Sequence, residues 1–508
     1  MMREPCILHL LLLLLISSAT PSPSTTFIRT DHSDNHFHET TTGRIRIFHG
    51  INRIQKRFPW YFESMTGKQG EDSADLMKSL GISVVRLGWM WSGFNPLPGV
   101  FNQTYADVML DIISILNSRD IYVLLDMHQD VMSSNFCLYD GFPKWVVQKS
   151  VPRKTFPWPM KGNCSSRGWM INSLTEAAAQ AYGDLYDNVG KTATSTGMLD
   201  DLAEFWFRSA QLFANVSGII GYELINEPFA GDFYKDPLVL LPGVAGSNNL
   251  MKMYDTVAKR IRQIDENHII FFEPVTWGMV FNGKIVGSGF DHVPGGDIYR
   301  NRSAFSFHYY CATFVPNYNH EPKIRKLICD DVVGPLVFES VKKDLLKFGG
   351  SAMMTEGLSC SDSAIAECQV VATNLDTNLL SWTDYDDSQG EMWSPSSIIK
   401  KLWSRVHARA VAGVPMSSSF NISTRDFEFC FRPDADVNSS TEIFVGSKYN
   451  YPNGAKIKCG DGNLLVCTPS SILPAGAGNL SSIDVLWVTI NDEENLTSSD
   501  VQCVTIKT

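Results

Sequence analysis

Two glutamates lie just after apolar runs, where their carboxyl groups could take part in catalysis. Glu227 follows the apolar run 219–224, and Glu356 follows the run 352–355. A protonated carboxyl group and an ionised one, facing each other, can hydrolyse a glycosidic bond. The first donates a proton to the leaving oxygen, and the second attacks the anomeric carbon or activates water. We therefore predict that these two glutamates are the catalytic pair.

Residues near each glutamate could tune the pair. Arg86 lies inside another apolar run, and its positive charge would keep the nucleophile Glu356 ionised. Tyr310 could hold the same carboxylate by a hydrogen bond. Asn226, directly before Glu227, could bond the 2-hydroxyl of a sugar, a contact that strengthens in the transition state.

Further polar and aromatic residues follow apolar runs in the same way. His128 and Asp130 follow one run and His308 ends another, and we predict that these three bind the substrate. Trp382 would offer a flat apolar face to a pyranose ring. Each has a structural alternative: the histidines could be hydrogen-bonded rim residues, Asp130 could cap a loop, and Trp382 could belong to the core. Glu273 also ends an apolar run, and we interpret it as structural or as supporting the site.

These residues come together only if the strands before them lie side by side. Apolar runs alternate with helical patterns and predict about eight strands, at 44–49, 83–87, 121–126, 219–224, 268–272, 304–309, 352–355 and 379–382. Such alternation implies parallel strands with right-handed crossovers. Eight units favour a closed α/β (β/α)₈ TIM barrel, in which chemistry sits at the C-terminal ends of the strands.

Composition and sequence pattern divide the chain into four parts. Residues 1–19 are predicted to be a signal peptide, and residues 20–42 a poorly ordered N-terminal tail. Residues 43–411 would form the catalytic barrel, with a long irregular segment at about 129–200. Residues 412–508 contain short β-rich runs and predict a small antiparallel β-sandwich.

Charge and missing motifs exclude several classes of function. The net charge of −11 argues against nucleic acid and against anionic membrane surfaces as main partners. The chain has no HExxH motif and no CxxC pair, so we expect no metal and no cofactor. It also lacks a G-x-S-x-G elbow and a glycine-rich phosphate loop after any predicted strand.

The N-terminus predicts entry into the secretory pathway. Arg3, an apolar run at 6–16 and the small residues Ser17 and Ala19 form a signal-peptide pattern, with a signal anchor as the alternative. Removal of Cys6 leaves ten cysteines, an even number that favours disulfides in an oxidising compartment.

Two groups of cysteines could form such bonds, although the pairing stays open. Cys360 and Cys368 could close a short loop, and four C-terminal cysteines could staple the sandwich: Cys430, Cys459, Cys467 and Cys503. Eight glycosylation sequons point the same way: Asn102, Asn163, Asn215, Asn301, Asn421, Asn438, Asn479 and Asn495. Secretion and lysosomal delivery are both compatible with these features.

The motifs resemble those of glycoside hydrolase family 5, and within it those of the endoglycoceramidases. The matching segments are 218–231, Gly-Ile-Ile-Gly-Tyr-Glu-Leu-Ile-Asn-Glu-Pro-Phe-Ala-Gly, and 125–130, Leu-Asp-Met-His-Gln-Asp. Asn226-Glu-Pro228 marks the wider family, whereas the trailing Phe-Ala-Gly and the His-Gln-Asp are more specific. The similarity covers about residues 45–410.

The resemblance implies a retaining endo-β-glycosidase that cleaves between oligosaccharide and ceramide in glycosphingolipids. It implies Glu227 as acid/base and Glu356 as nucleophile. It also implies sugar contacts from Lys56, Asp130, Asn226, Tyr310 and Trp382. One departure is Thr355-Glu-Gly-Leu358, which stands where the family usually has Gly-Glu-Phe-Gly.

A lipid substrate requires apolar surface beside the barrel mouth. The loop segments Phe58-Pro-Trp-Tyr-Phe62 and 238–244 could cradle a ceramide and touch a membrane or micelle transiently, or could merely pack. Other readings are a β-glucanase or mannanase, a glucosidase acting on a steryl glucoside, and a carbohydrate-binding protein without activity.

Overall fold

The computed structural model describes residues 25–275, 280–281, 284–310, 332–358, 365–385, 398–462, 464–470, 484–491 and 500–508. The predicted signal peptide lies outside these residues, as does Cys360. Across the described ranges, every helix is too short or too polar to cross a bilayer.

Eight parallel strands close into a barrel, which confirms the predicted fold. They are β1 (His49–Arg53), β2 (Val84–Gly88), β3 (Tyr122–Asp126), β4 (Ile219–Glu223), β5 (Ile269–Phe272), β6 (Ser303–Tyr309), β7 (Ser351–Gly357) and β8 (Ser381–Asp384). All eight are buried along their whole length, and this two-sided burial explains why most of them are rich in apolar residues.

Helices cover the outside of the barrel and share one apolar core with the outward-facing strand residues. The longer ones are Gly67–Ser79, Gln103–Asn117, Glu176–Tyr186, Met198–Phe213, Met251–Ile261, Gly334–Phe348 and Ile365–Thr377. Shorter helices are Trp91–Phe94, Lys144–Val147, Trp169–Ser173, Ile398–Trp403 and Ser447–Asn450. The segment 129–200 is therefore not irregular throughout, because its alanine-rich part forms Glu176–Tyr186 behind the N-cap Thr175.

The predicted poorly ordered tail is wrong for the part that the structure describes. Strands Ile28–Asp31 and His36–Glu39 form an antiparallel hairpin. Ile28 and Phe37 pack with Phe48 against side chains that fill the lower barrel interior. Ile28 and Phe37 are the only apolar residues of the two strands, so composition alone suggests a solvated tail. The hairpin instead closes the N-terminal end of the barrel.

The C-terminal part is a sandwich of two antiparallel sheets. The larger sheet has the order Ile28–Asp31, His36–Glu39, Ile45–Arg46, His407–Val411, Thr441–Phe444, Val485–Ile490 and Leu465–Ser470. The smaller has Gly413–Phe420, Phe427–Pro433, Gln502–Lys507 and Lys456–Cys459. Phe429, Leu486 and Val504 belong to the apolar core that the two sheets enclose.

The predicted boundary at residue 411 falls inside this sandwich. The helix Ile398–Trp403 ends before this boundary, and His407–Val411 is already a strand of the larger sheet. Disulfides Cys430–Cys503 and Cys459–Cys467 staple the C-terminal part, as the cysteine pattern predicts. A third, Cys137–Cys164, closes the long loop after β3.

Candidate active site

Arg86 on β2 is the centre of a buried polar layer beneath the barrel mouth. Its guanidinium is completely buried and contacts oxygens of five residues: Glu223 at 2.5 Å, Glu356 at 2.6 Å, Asn226 at 2.8 Å, Asn52 at 3.0 Å and Asp126 at 3.1 Å. Burial alone would lower the pKa of Arg86, but these carboxylates raise it well above the usual range. Arg86 therefore stays charged and fixes Glu356, as expected for a residue that supports the nucleophile.

Glu356 lies on β7 where a bulge interrupts the pairing with β6. Neighbouring strand residues normally face opposite sides, yet Thr355 and Glu356 both reach inward: Thr355 Oγ1 donates to Glu223 at 2.8 Å and Glu356 contacts Arg86. The bulge thus aims Glu356 at the mouth. Tyr310 Oη donates to the other carboxylate oxygen at 2.9 Å.

The charges around Glu356 keep it ionised. Burial would raise the pKa of its carboxyl group, but the positive charges of His308, Arg86 and His128 outweigh burial and lower the pKa to about 2. An ionised carboxylate held by two donors is what a nucleophile at this position requires.

Glu227 follows β4 on a turn that the surrounding residues hold in place. Its φ of 43° lies in the left-handed region, which a residue with a side chain rarely adopts. Its N–H donates to Glu273 Oε2 at 2.7 Å, and Gln129 Nε2 donates to the carbonyl of Asn226 at 2.6 Å. His308 Nδ1 lies 2.9 Å from Glu227 Oε1, so the carboxyl group is oriented as well.

His308 sits among three carboxyl groups. Burial would lower the pKa of its imidazole, but Glu273, Glu356 and Glu227 raise it to about 10. Burial raises the pKa of the Glu273 carboxyl well above the usual range, and the positive charge of His308 offsets this only in part. Around neutral pH the ring is therefore an imidazolium.

The spacing of the two predicted catalytic groups distinguishes two mechanisms. Carboxylate oxygens of Glu227 and Glu356 lie within 4.8 Å of each other. Retaining glycosidases place their carboxyl groups about 5–5.5 Å apart, whereas inverting enzymes need about 6.5–9.5 Å for a water molecule. The spacing fits direct attack by Glu356 on the anomeric carbon.

A second polar group borders the nucleophile. Lys56 Nζ binds Asp130 Oδ2 at 2.8 Å, and His128 Nδ1 binds Asp126 Oδ2 at 2.6 Å. The rings of Tyr139 and Tyr385 flank this group, each 5.3 Å from Lys56 Nζ. The structure thus brings Lys56, His128 and Asp130 to the mouth, and their contact with sugar stays a prediction.

Trp382 does not lie at the mouth, contrary to the sequence interpretation. Thr383 faces the barrel interior, where its Oγ1 accepts from Asn52, so its neighbour Trp382 faces outward. Trp382 is fully buried, and its ring lies 4.5 Å from that of His49, which stacks on His407 of the larger sheet. It is a core residue between barrel and sandwich.

The sequence interpretation missed several residues that hold the site. Glu223, Asp126 and Asn52 anchor Arg86, and Gln129 fixes the acid/base turn. Strand-internal polar residues among apolar neighbours, such as Glu223 in Ile-Ile-Gly-Tyr-Glu, were the available signal. Tyr139 and Tyr385 lie in loops that carry no pattern to mark them.

Among the residues that the structure describes, two groups of three side chains have a metal-like spacing: Glu223, Glu273 and His308, and Glu227, His308 and Glu356. Both share His308, whose Nδ1 already contacts Glu227. Hydrogen bonding and ion pairing account for both groups, and the absence of a metal stays a prediction.

Comparison with known proteins agrees with this geometry. Residues 45–390 match the profile of Cellulase (glycosyl hydrolase family 5), and residues 405–481 match the glycoside hydrolase family 5 C-terminal domain. The chain belongs to glycoside hydrolase family 5. It is a glycosidase, and the resemblance seen in its motifs is confirmed.

Among curated relatives, the chain is 34% identical to "Endoglycoceramidase" of Cyanea nozakii, over 81% of this chain and 83% of that protein. It is 35% identical to the protein of that name from Hydra vulgaris, over 81% and 79%. Among solved structures, endo-glycoceramidase II from Rhodococcus sp. with ganglioside GM3 has a TM-score of 0.70 at 19% identity, covering 92% of this chain and 98% of that one. This last likeness is one of fold.

Proposed function

We propose that this family 5 enzyme hydrolyses the β-linkage between oligosaccharide and ceramide in glycosphingolipids, with retention of configuration. The observation that carries the mechanism is the pair of carboxyl groups within 4.8 Å of each other, one of them tied to Arg86 and Tyr310. The names of the curated relatives support the choice of substrate.

The reaction would proceed in two displacements. Glu227 protonates the oxygen that leaves with ceramide while Glu356 attacks the anomeric carbon, forming a glycosyl ester. Glu227, now ionised, takes a proton from water, and the water oxygen attacks the same carbon and releases Glu356. Free oligosaccharide with its original configuration and intact ceramide are the products. Asn226, whose amide already donates to Gln129 O, has a second N–H for the sugar 2-hydroxyl.

The ceramide would lie on the Glu227 side, because that residue protonates the leaving oxygen. The 3₁₀ helix Pro237–Leu240 follows the Glu227 turn, and Leu238 is 61% exposed. On the loop after β1, Phe58 is 85% exposed. Apolar side chains exposed in this way suit a lipid tail and transient contact with a membrane or micelle.

The enzyme would be a secreted or lysosomal glycoprotein. The signal-peptide pattern in residues 1–19 and disulfides such as Cys137–Cys164 support an oxidising compartment. N-terminal sequencing of the mature protein and a mobility shift after enzymatic deglycosylation test both points. A mature chain that retains Arg3 would refute cleavage of the signal.

The decisive experiment is hydrolysis of a detergent-dispersed ganglioside, with a soluble β-glucan in parallel. Free oligosaccharide plus intact ceramide is expected, with the glucan untouched. Glu227→Gln and Glu356→Gln should abolish turnover, whereas Glu339→Gln, on the outer helix Gly334–Phe348, should not. Cleavage of glucan or of a steryl glucoside with the ganglioside intact would refute the ceramide assignment. Full activity in both glutamine variants would refute the catalytic pair.

A further inference from the structure

The loop after β3 contains a stretch whose charge is opposite to that of the whole protein. Residues 141–175 contain six Lys or Arg and no Asp or Glu, in a chain of net charge −11. The six are Lys144, Lys149, Arg153, Lys154, Lys161 and Arg167. We call residues 141–175 the basic loop. The acidic balance of the chain conceals this local excess.

Part of this charge is neutralised by the rest of the protein. Lys149 pairs with Asp201, and Arg153 pairs with Glu176 and Asp232. Within the described part of the chain, no carboxylate lies within ion-pairing distance of Lys154, Lys161 or Arg167. Lys154 and Lys161 are exposed to solvent. The basic loop therefore presents positive charge to an external partner.

Apolar side chains are exposed in the same loop. Val151 is 77% exposed and Trp158 is 45% exposed, and Met170, Ile171 and Leu174 are also exposed. Lys154 Nζ lies 5.8 Å from the centre of the Trp158 ring. Exposed aromatic and aliphatic groups interleaved with lysines are typical of surfaces that enter the interfacial zone of a membrane.

A series of neighbouring aromatic rings connects the basic loop to the turn that contains Glu227. Trp158 lies 5.5 Å from Tyr234, Tyr234 lies 4.4 Å from Phe233, and Phe233 lies 6.1 Å from Phe229, two residues after Glu227. Tyr234 Oη also donates to the carbonyl of Leu174 at 2.9 Å. The exposed patch is thus fixed to the side of the mouth where the leaving group departs.

We propose that the basic loop docks the enzyme on a lipid surface rich in anionic phospholipid. The lysines face the phosphates, and Trp158, Val151 and the neighbouring aliphatic side chains enter the interface. The Cys137–Cys164 disulfide ties the basic loop to the segment just after β3, and Tyr234 binds the carbonyl of Leu174 near its other end, so docking also orients the mouth. This orientation places the ceramide side of the site at the surface, and that part of the inference rests on the proposed function.

Binding to vesicles without any glycolipid tests the docking step alone. Phosphatidylcholine vesicles containing phosphatidylserine are compared with pure phosphatidylcholine vesicles by co-sedimentation. Each lysine near an anionic surface contributes about fivefold in affinity, so Lys154→Gln/Lys161→Gln is expected to weaken binding about 25-fold. Added salt should weaken binding of the unmodified protein, and Trp158→Ala should weaken it further.

The matched control is Lys342→Gln/Lys343→Gln, which removes the same charge elsewhere. Both lysines are exposed on the helix Gly334–Phe348, and Lys342 lies beside the N-terminal hairpin at the opposite end of the barrel. Equal binding by the two double variants would overturn the proposal, as would equal binding of the unmodified protein to the two kinds of vesicle.

Two further measurements separate docking from catalysis. Hydrolysis of a soluble aryl β-glycoside should be unchanged in Lys154→Gln/Lys161→Gln, which shows that the protein is folded. Vesicle binding without ganglioside cleavage would refute the proposed function and leave docking standing.

A glycan on Asn163, between Lys161 and the Cys164 disulfide, would hold the loop away from lipid. Peptide mass spectrometry should find Asn163 unmodified, and an occupied Asn163 would contradict docking.

Discussion

Replacing Tyr310 with Phe removes one hydrogen bond from the nucleophile and little else. Tyr310 Oη donates to Glu356 Oε2 at 2.9 Å, while Arg86 retains Oε1 at 2.6 Å. A hydrogen bond to a charged group contributes about 1.5–3 kcal/mol, and 1.36 kcal/mol corresponds to one pKa unit. The substitution should therefore raise the pKa of Glu356 from about 2 to roughly 3–4.

The sign of the effect on pH dependence follows from the ionised state that catalysis requires. Glu356 is active above its pKa, so kcat/KM falls as the pH drops through it. In Tyr310→Phe this acidic limb moves to higher pH, while the rate above the limb is largely retained in the first displacement.

The second displacement should suffer more, because Glu356 then leaves as a carboxylate. Loss of about 1.5–3 kcal/mol slows that step by roughly 10- to 150-fold. The glycosyl ester then accumulates, and a dinitrophenyl β-glycoside should give a burst of phenolate in rapid-mixing experiments. An acidic limb that does not move, together with the absence of a burst, would refute the reasoning. An unchanged circular dichroism spectrum shows that the variant is folded.

Three other substitutions test the remaining features of the site and fold. Glu273→Gln retains an acceptor for the Glu227 N–H and should change kcat less than about threefold, whereas Glu273→Ala should lower it about tenfold or more; equal effects would contradict the role of Glu273 as that acceptor. Trp382→Ala should lower the free energy of unfolding by about 3–5 kcal/mol in denaturant titration. A large rise in KM for a soluble glycoside would instead indicate that Trp382 contacts the substrate. Cys137→Ser/Cys164→Ser opens a loop closed across 27 residues and should lower the free energy of unfolding by about 3–4 kcal/mol.

The barrel could be predicted from sequence because its strands are buried on both faces. Seven of the eight apolar runs coincide with barrel strands to within a few residues. The first did not, and β1 begins where the predicted strand ends. Its sequence, His-Gly-Ile-Asn-Arg, lacks an apolar run because Asn52 belongs to the polar layer around Arg86. A strand that supplies the site loses the pattern by which strands are recognised.

Sequence patterns also do not show which face of a strand a given side chain occupies. Trp382 and Thr383 are adjacent, and only the register with β1 shows which of them points inward. A shift of one residue exchanges the two faces of a strand. The positions of Glu227 and Glu356 at the mouth could be predicted without the register, because Glu227 lies beyond its strand and a bulge turns Glu356 inward. The sequence interpretation of Glu273 as structural or supporting agrees with its position, where it accepts the Glu227 N–H.

The N-terminal hairpin also couples the beginning of the chain to its end during synthesis. The hairpin pairs with Ile45–Arg46, which in turn pairs with His407–Val411. This last strand is synthesised about 360 residues later. Until then the edge of Ile45–Arg46 that faces away from the hairpin has no partner. Such distant pairings are slow to form, and exposed strand edges favour aggregation while they wait. Folding of this enzyme should therefore be a late event, sensitive to chaperones and to mutations in the C-terminal sandwich far from any catalytic residue.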